Sequence, residues 1–196
     1  MNILLTGATG FTGGEVLRQT LARDDIERVL VVTRRPTGQL HPKLDEVLLS
    51  DFSDWSSIDL RGIDACIWTL GISQTLARGD EYVAITHGYT LAAAKSLWAS
   101  NPNARFCFVS GRSADPSEHR REPFARIKGR TEKDLTALAP ERAWHFRAGY
   151  IRATSESVPR KDAGRFARPI ATVLTLFSDD LVIDVNHLAR VLLHVA

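Results

Sequence analysis

Short apolar runs alternate along this chain with longer stretches in which apolar positions recur every three or four residues. The runs predict strands at Asn2 to Leu5, Val29 to Thr33, Glu46 to Leu49, Ala65 to Leu70, Phe106 to Ser110, Ala143 to Ala148 and Leu181 to Asp184. The longer stretches predict helices over residues 12–22, 81–99, 123–138, 164–177 and 187–195. Strands that are apolar throughout, separated by helices, predict an α/β fold: a doubly wound parallel sheet with helices on both faces.

Composition narrows the picture only slightly. A chain of 196 residues that is 44% hydrophobic and 24% charged suits one domain, and no repeat or linker divides it. Residues 1–196 therefore read as a single domain, with 152–180 as a small substrate-side segment. The 25 Lys and Arg nearly balance 23 Asp and Glu, which gives no argument for a nucleic-acid partner. No apolar run approaches the roughly 18 residues needed to span a bilayer, so no membrane partner is expected. The opening MNILLTGATG has no basic start, long apolar stretch or cleavage site, and Cys66 and Cys107 sit inside apolar runs with no CxxC or histidine spacing. These features predict a reduced, cytoplasmic protein whose thiols are small buried hydrophobes. The six histidines show no metal-ligand spacing, and no metal is expected.

The stretch NILLTGATGFTGGEVLRQTL joins the first strand to the first helix through Gly7, Gly10 and Gly13. A turn this tight uses residues without a Cβ, one to turn the chain, one to admit a diphosphate and one to pack helix on strand. The helix N-terminus then offers N–H groups and a partial positive charge to the phosphates. The chemistry implied is dinucleotide binding.

The spacing GxxGxxG within TGATGFTG resembles the short-chain dehydrogenase superfamily in its extended and atypical branches, related to the NAD-dependent epimerases and dehydratases. The resemblance narrows to the Tat-interacting oxidoreductase type through TRR after the second strand, DF after the third, TLG after the fourth, and SGRSADP, IKGRTEKDL and FRAGYI further on. It implies a single NAD(P)-binding Rossmann domain with a parallel sheet in the order 3-2-1-4-5-6, and cofactor contacts from Gly7, Thr9, Gly10, Phe11, Thr12, Gly13, Thr69, Leu70, Gly71, Lys128, Gly149 and Tyr150. Arg34 and Arg35 stand where NAD-preferring folds carry an acidic residue, and the arginine fork suits a 2′-phosphate, so NADP(H) is preferred over NAD(H). A pair of solvated turn arginines is the plainer reading. Asp51 and Phe52 match the superfamily's adenine contacts, though Asp51 also suits a capping role in SDFSDWSS.

In short-chain dehydrogenases a tyrosine and a lysine stand one helical turn apart, and a serine ends the preceding strand. Lys128 and Ser110 match the lysine and the serine; the tyrosine position holds Phe124. Phenylalanine has no proton to give, so carbonyl reduction by the usual route lacks its acid. On the helix itself, Phe124, Ile127, Thr131, Leu135 and Leu138 fall within about 80° of arc and read as a core-facing stripe. Two functions follow. One is an NAD(P)(H)-dependent oxidoreductase acting on a small substrate, with Lys128 orienting the cofactor, Ser110 polarising the substrate, and water or Tyr150 delivering the proton. The other is a non-catalytic NADP(H)-binding redox sensor or regulator.

Overall fold

The computed structural model describes residues 1–72, 77, 79–155 and 182–196. Six strands form one parallel sheet: β1 (Asn2–Thr6), β2 (Arg28–Thr33), β3 (Leu44–Leu48), β4 (Ala65–Trp68), β5 (Arg105–Gly111) and β6 (Ala143–Ala148). Their order is β3-β2-β1-β4-β5-β6, as the resemblance to a Rossmann domain implies. The order reverses between β1 and β4, so the C-terminal ends of those two strands border the crevice where ligands bind in such sheets.

Alternate side chains of each strand feed two separate cores. On one face Ile3, Leu5, Val29, Val31, Ala65 and Ile67 pack with Val16 and Leu17 of α1 (Phe11–Leu21) and with Leu188 and Leu192 of the last helix. On the other face Leu4, Leu30, Val32, Cys66, Trp68, Phe106 and Phe108 pack with Ala93, Ala94, Leu97 and Leu135. Trp68 stacks on Phe106 at 5.8 Å between ring centroids. Cys66 and Cys107 belong to opposite cores, and both thiols are free and buried. Burial pushes the Cys107 thiol up to about 12, which leaves both as unreactive packing groups.

The middle helix departs from its predicted form. In place of one helix over 81–99, α2 (Gly79–Val83) runs into a π-helical turn (Ala84–Gly88) and then α3 (Tyr89–Ser100). A π turn adds a residue to the helical repeat, which a 3.6-residue periodicity does not register. The turn carries His87, whose Nε2 lies 2.7 Å from Asp134 Oδ2 on α4 (Pro123–Leu138). Leu138, read as part of the core stripe, is instead 44% exposed at the end of α4. The third strand begins two residues earlier than predicted and the fourth stops at Trp68.

After β6 a short strand with no prediction, β7 (Tyr150–Arg152), pairs in parallel with β8 (Val182–Asp184) as a separate two-stranded sheet. Arg152 Nε donates to Asp184 Oδ1 at 2.7 Å. The last helix, α5 (Val185–Val195), follows directly and packs on α1, where Gln19 Nε2 donates to the Asn186 carbonyl at 3.1 Å. The helix expected over 164–177 lies outside the described residues. Among the described residues no helix is long and apolar enough to cross a membrane, and no cluster of three His, Cys, Asp or Glu could hold a metal ion.

Candidate active site

The turn between β1 and α1 is built around what its glycines lack. Gly7 has φ +71°, and a Cβ there would stand 2.6 Å from Thr69 Oγ1 and 2.8 Å from the Thr69 carbonyl carbon. A Cβ on Gly13 would run into the Gly7 carbonyl. Thr69 has no room to yield, because its hydroxyl donates to the Thr6 carbonyl at 2.6 Å. The turn is closed by Gly10 N–H donating to the Gly7 carbonyl at 2.8 Å. No side chain caps α1 at Gly10, and its first turn carries no acidic residue. This helix end therefore suits an anionic ligand.

A small open groove of about 40 Å³ lies beside the turn, lined by Gly7, Thr9, Val32, Thr33, Arg34, Arg35, Phe52 and Leu70. Thr33 Oγ1 donates to the Arg35 carbonyl at 2.9 Å, so the turn bearing both arginines is tied to the end of β2. Both guanidinium groups belong to exposed residues. Phe52 is buried, its ring edge-on to Trp55 and Trp68. Its neighbour Asp51 is exposed. The Asp51 carboxylate accepts from Ser53 N–H at 2.9 Å and from Ser53 Oγ at 2.7 Å, bonds that hold its pKa below the usual carboxylate range. That is an Asx turn, which closes the loop after β3 and caps no helix. Asp51, Gly71, Ser110, Lys128, Gly149 and Tyr150 are not among the residues lining this groove. Gly71 and Gly149 are exposed.

Ser110 and Lys128 meet at the end of β5. Pro123 opens α4, and the helix lies against β5 because two glycines make room. A Cβ on Gly111 would strike the Phe124 ring, and one on Gly129 would strike the Asp115 carbonyl in the loop after β5. Lys128 is 9% exposed. Its Nζ donates to the Val109 carbonyl at 2.9 Å and sits 4.4 Å from the centroid of the Phe108 ring. Burial lowers its pKa to about 8, with Glu132 one turn away pulling in the opposite direction. Glu132 is itself buried and accepts three bonds from Arg147 of β6, at 2.6, 3.0 and 3.1 Å. Ser110 is buried too, and its hydroxyl has no hydrogen-bond partner. Buried polar groups are almost always paired, and Trp68 Nε1 and His145 Nδ1 share this unpartnered state.

Sequence reasoning did not single out Tyr82, Gly111, Glu132, Arg147 or Gly129. A glycine inside a helix is one readable sign, since it usually marks close backbone approach. Glu132 four residues after Lys128 is another. Tyr82 gives no such sign: it is a single aromatic position on a short helix. It nevertheless sits buried with Ala77 and Ile127 in a small apolar cluster against which Phe124, Ile72 and Val83 pack. Tyr150, weighed as a substitute acid, is half-buried at the start of β7.

This architecture recurs in known proteins. The chain is 26% identical over 158 residues to the mitochondrial protein FMP52 of Eremothecium gossypii, covering 80% of this chain and 69% of that protein. It is 31% identical over 115 residues to the leucinostatins biosynthesis cluster protein T of Purpureocillium lilacinum, covering 56% of this chain and 42% of that one. Among solved structures, the reductase domain of PhqB from Penicillium fellutanum superposes with a TM-score of 0.73 at 18% identity, over 99% of this chain and 63% of that domain. The enzyme WbmF of Bordetella bronchiseptica in complex with NAD+ gives a TM-score of 0.73 at 14% identity, over 98% and 68% of the two chains. At these identities the superpositions establish the fold. The family model adds the sequence itself, because it runs without a break from the first strand into the sixth, residues 3–144, and on that match the chain belongs to the NAD dependent epimerase/dehydratase family.

Proposed function

We propose that this protein is an NADP(H)-dependent reductase of a small carbonyl compound. The observation that carries the reading is the Ser110 hydroxyl, buried without a partner beside the residue whose carbonyl holds the Lys128 ammonium. A protein that only bound a dinucleotide would have no use for it. A bound dinucleotide would supply the hydride. The Gly7–Gly13 turn would take its diphosphate, where a Cβ would leave no space. Arg34 and Arg35 would pair with a 2′-phosphate, which is the basis for NADP(H) over NAD(H). The Lys128 ammonium has three donors and spends one on Val109, leaving two for the hydroxyls of a ribose. Ser110 would donate to the substrate oxygen and hold its carbonyl in place. The compartment proposed is the cytoplasm, on the strength of two free buried thiols; cell fractionation tests it against the mitochondrial naming of the FMP52 relative.

Phe124 supports a second reading, a redox sensor that binds NADP(H) without turning it over. Fluorescence titration with NADPH and NADH, followed by a panel of aldehydes and ketones offered to the native protein and to Phe124→Tyr, separates the two. Turnover by the native protein excludes the sensor. Activity that appears only in Phe124→Tyr favours it. No binding of NADPH overturns both.

A further inference from the structure

We propose that Glu132 is a positioning residue for the Lys128 ammonium: clamped by Arg147 one helical turn away, its carboxylate keeps that side chain charged inside the protein and so able to hold a nucleotide ribose. The inference deepens the reading above and rests on its assignment of the cofactor to Lys128. Residues four apart lie on one side of a helix, so Lys128 and Glu132 are neighbours along α4. Both are buried, Glu132 to 3% exposure. A buried ion pair adds little to a fold that an apolar pair of the same size would not add, so packing is a poor explanation for Glu132 and Arg147. The neighbouring charge is a better one. The ammonium is held by the Val109 carbonyl and the face of the Phe108 ring, and it has given up its hydration to reach them.

The clamp settles how the carboxylate acts. Arg147 Nε donates to both carboxylate oxygens, at 3.0 and 3.1 Å, and Nη2 donates to Oε2 at 2.6 Å, so both oxygens are occupied from β6. Attraction through an interior of low dielectric holds the charge on Lys128. The two N–H groups not spent on Val109 stay available to a ligand, where a direct lysine–glutamate bond would consume one. Arg147 is 45% exposed, so water screens its opposing charge more than that of the buried carboxylate. The other titratable groups on the elements around α4 leave this balance alone. On β6, burial lowers the pKa of His145 and keeps the ring neutral, its Nε2 2.8 Å from Thr136 Oγ1. In the π-helical turn His87 is paired with Asp134, and burial keeps the Tyr82 phenol of α2 neutral. On β5, Arg105 donates to the Val195 and Ala196 carbonyls, and Cys107 belongs to the opposite core. On α3, Lys95 is exposed and Tyr89 packs against Phe52. The Asp115 carboxylate, in the loop after β5, accepts from the Ser117 and Arg120 N–H groups. Burial lowers the Lys128 pKa to about 8 against the pull of Glu132; without that pull it falls further.

The test titrates Lys128 directly, by NMR of the intact ligand-free chain carrying lysine labelled with 13C at Cε. Native protein, Glu132→Gln and Glu132→Asp are compared, and the Lys128 signal is the one missing from Lys128→Met. The midpoint falls by about one pH unit in Glu132→Gln, as loss of a nearby opposite charge requires. Glu132→Asp, which restores the charge, recovers most of that fall. Dissociation constants for NADP+ give the second measurement. At about pH 8 Glu132→Gln binds roughly threefold more weakly than native, and at about pH 6, where Lys128 is protonated in both, the two agree to within about 1.5-fold. If Glu132→Gln does not fold, Glu132→Met combined with Arg147→Met removes the carboxylate without leaving a buried charge unpaired, and the same midpoint and affinities are measured. A Lys128 midpoint unmoved by loss of the carboxylate overturns the assignment and leaves the reductase reading intact. An affinity loss of equal size at both pH values does the same, because it marks Glu132 as packing. A native protein that binds no NADP+ at either pH overturns the nucleotide reading, and with it the purpose assigned to Glu132.

Discussion

The β1–α1 turn and the β5–α4 junction are the two ends of one candidate site, and they are specified by opposite means. At the turn the specification is backbone: Gly7 and Gly13 are required because no Cβ fits against Thr69 or the Gly7 carbonyl. At the junction it is side-chain chemistry: a buried lysine, an unpartnered serine and a phenylalanine where a hydroxyl is expected. A ligand cradle made of absent atoms tolerates almost no substitution. Side-chain chemistry tolerates exchange more readily, as the phenylalanine at position 124 shows.

Substitutions can break each end separately. The largest effect is expected at Gly13→Ala, whose methyl group meets backbone that cannot yield. Overpacking against a fixed carbonyl should cost about 3 kcal/mol or more and lower the thermal midpoint by roughly 6–12 °C, with loss of NADPH binding. A midpoint within the error of the native value would show that the turn relaxes and that the cradle is not fixed.

Lys128→Met should separate stability from binding. The ligand-free protein gains about 1–3 kcal/mol, since a desolvated ammonium with one carbonyl partner is replaced by an apolar side chain of similar length. Meanwhile the dissociation constant for NADPH rises about tenfold or more. Differential scanning fluorimetry with and without NADPH reads both. The pH dependence has a defined sign. Burial depresses the Lys128 pKa from its ordinary value to about 8, so the folded protein sheds this proton before the unfolded chain does. The unfolded state therefore holds more protons from about pH 8 upward to about 10.5, and this lysine's contribution makes the ligand-free fold more stable as pH rises through that window. NADPH affinity should move the other way and weaken above pH 8. The Met variant should lose both dependences.

The smallest effect is expected at the groove. Arg34→Gln combined with Arg35→Gln should leave the thermal midpoint unchanged, as both residues are exposed. The preference for NADPH over NADH should fall by about 1–2 kcal/mol, roughly 5- to 30-fold. An unchanged ratio of the two dissociation constants would assign both arginines to solvent.

The sheet was legible because its inner strands are buried on both faces and so read as unbroken apolar runs, ACIW in β4 being fully buried. The edge strand β3 was misplaced by two residues for the complementary reason: Asp45 and Glu46 face solvent and dilute the pattern. Three residues with the sequence YIR carry no periodicity, so β7 was missed. Within the site, the glycine turn was legible because its spacing records a steric fact about the backbone. Lys128 and Ser110 were legible through resemblance. Asp51 carries two readings at once, since the same DFS sequence that matches an adenine contact also closes a local turn through Ser53. Tyr82 and the Glu132–Arg147 pair depend on contacts between elements distant in sequence, which a local pattern does not encode.

The small parallel pair formed by β7 and β8 has a bearing on how such a chain can change. Tyr150 stands opposite Val182 and Arg152 opposite Asp184, and Thr154 Oγ1 donates to Asn186 Oδ1 at 2.9 Å beyond them. The chain that leaves the nucleotide fold after β6 thus re-enters it in register with its own point of departure, clamped at the neck by an ion pair and a hydrogen bond. Two ends held in register in this way close the connection almost independently of its length, so inserting or deleting sequence between Arg152 and Val182 should cost little closure entropy.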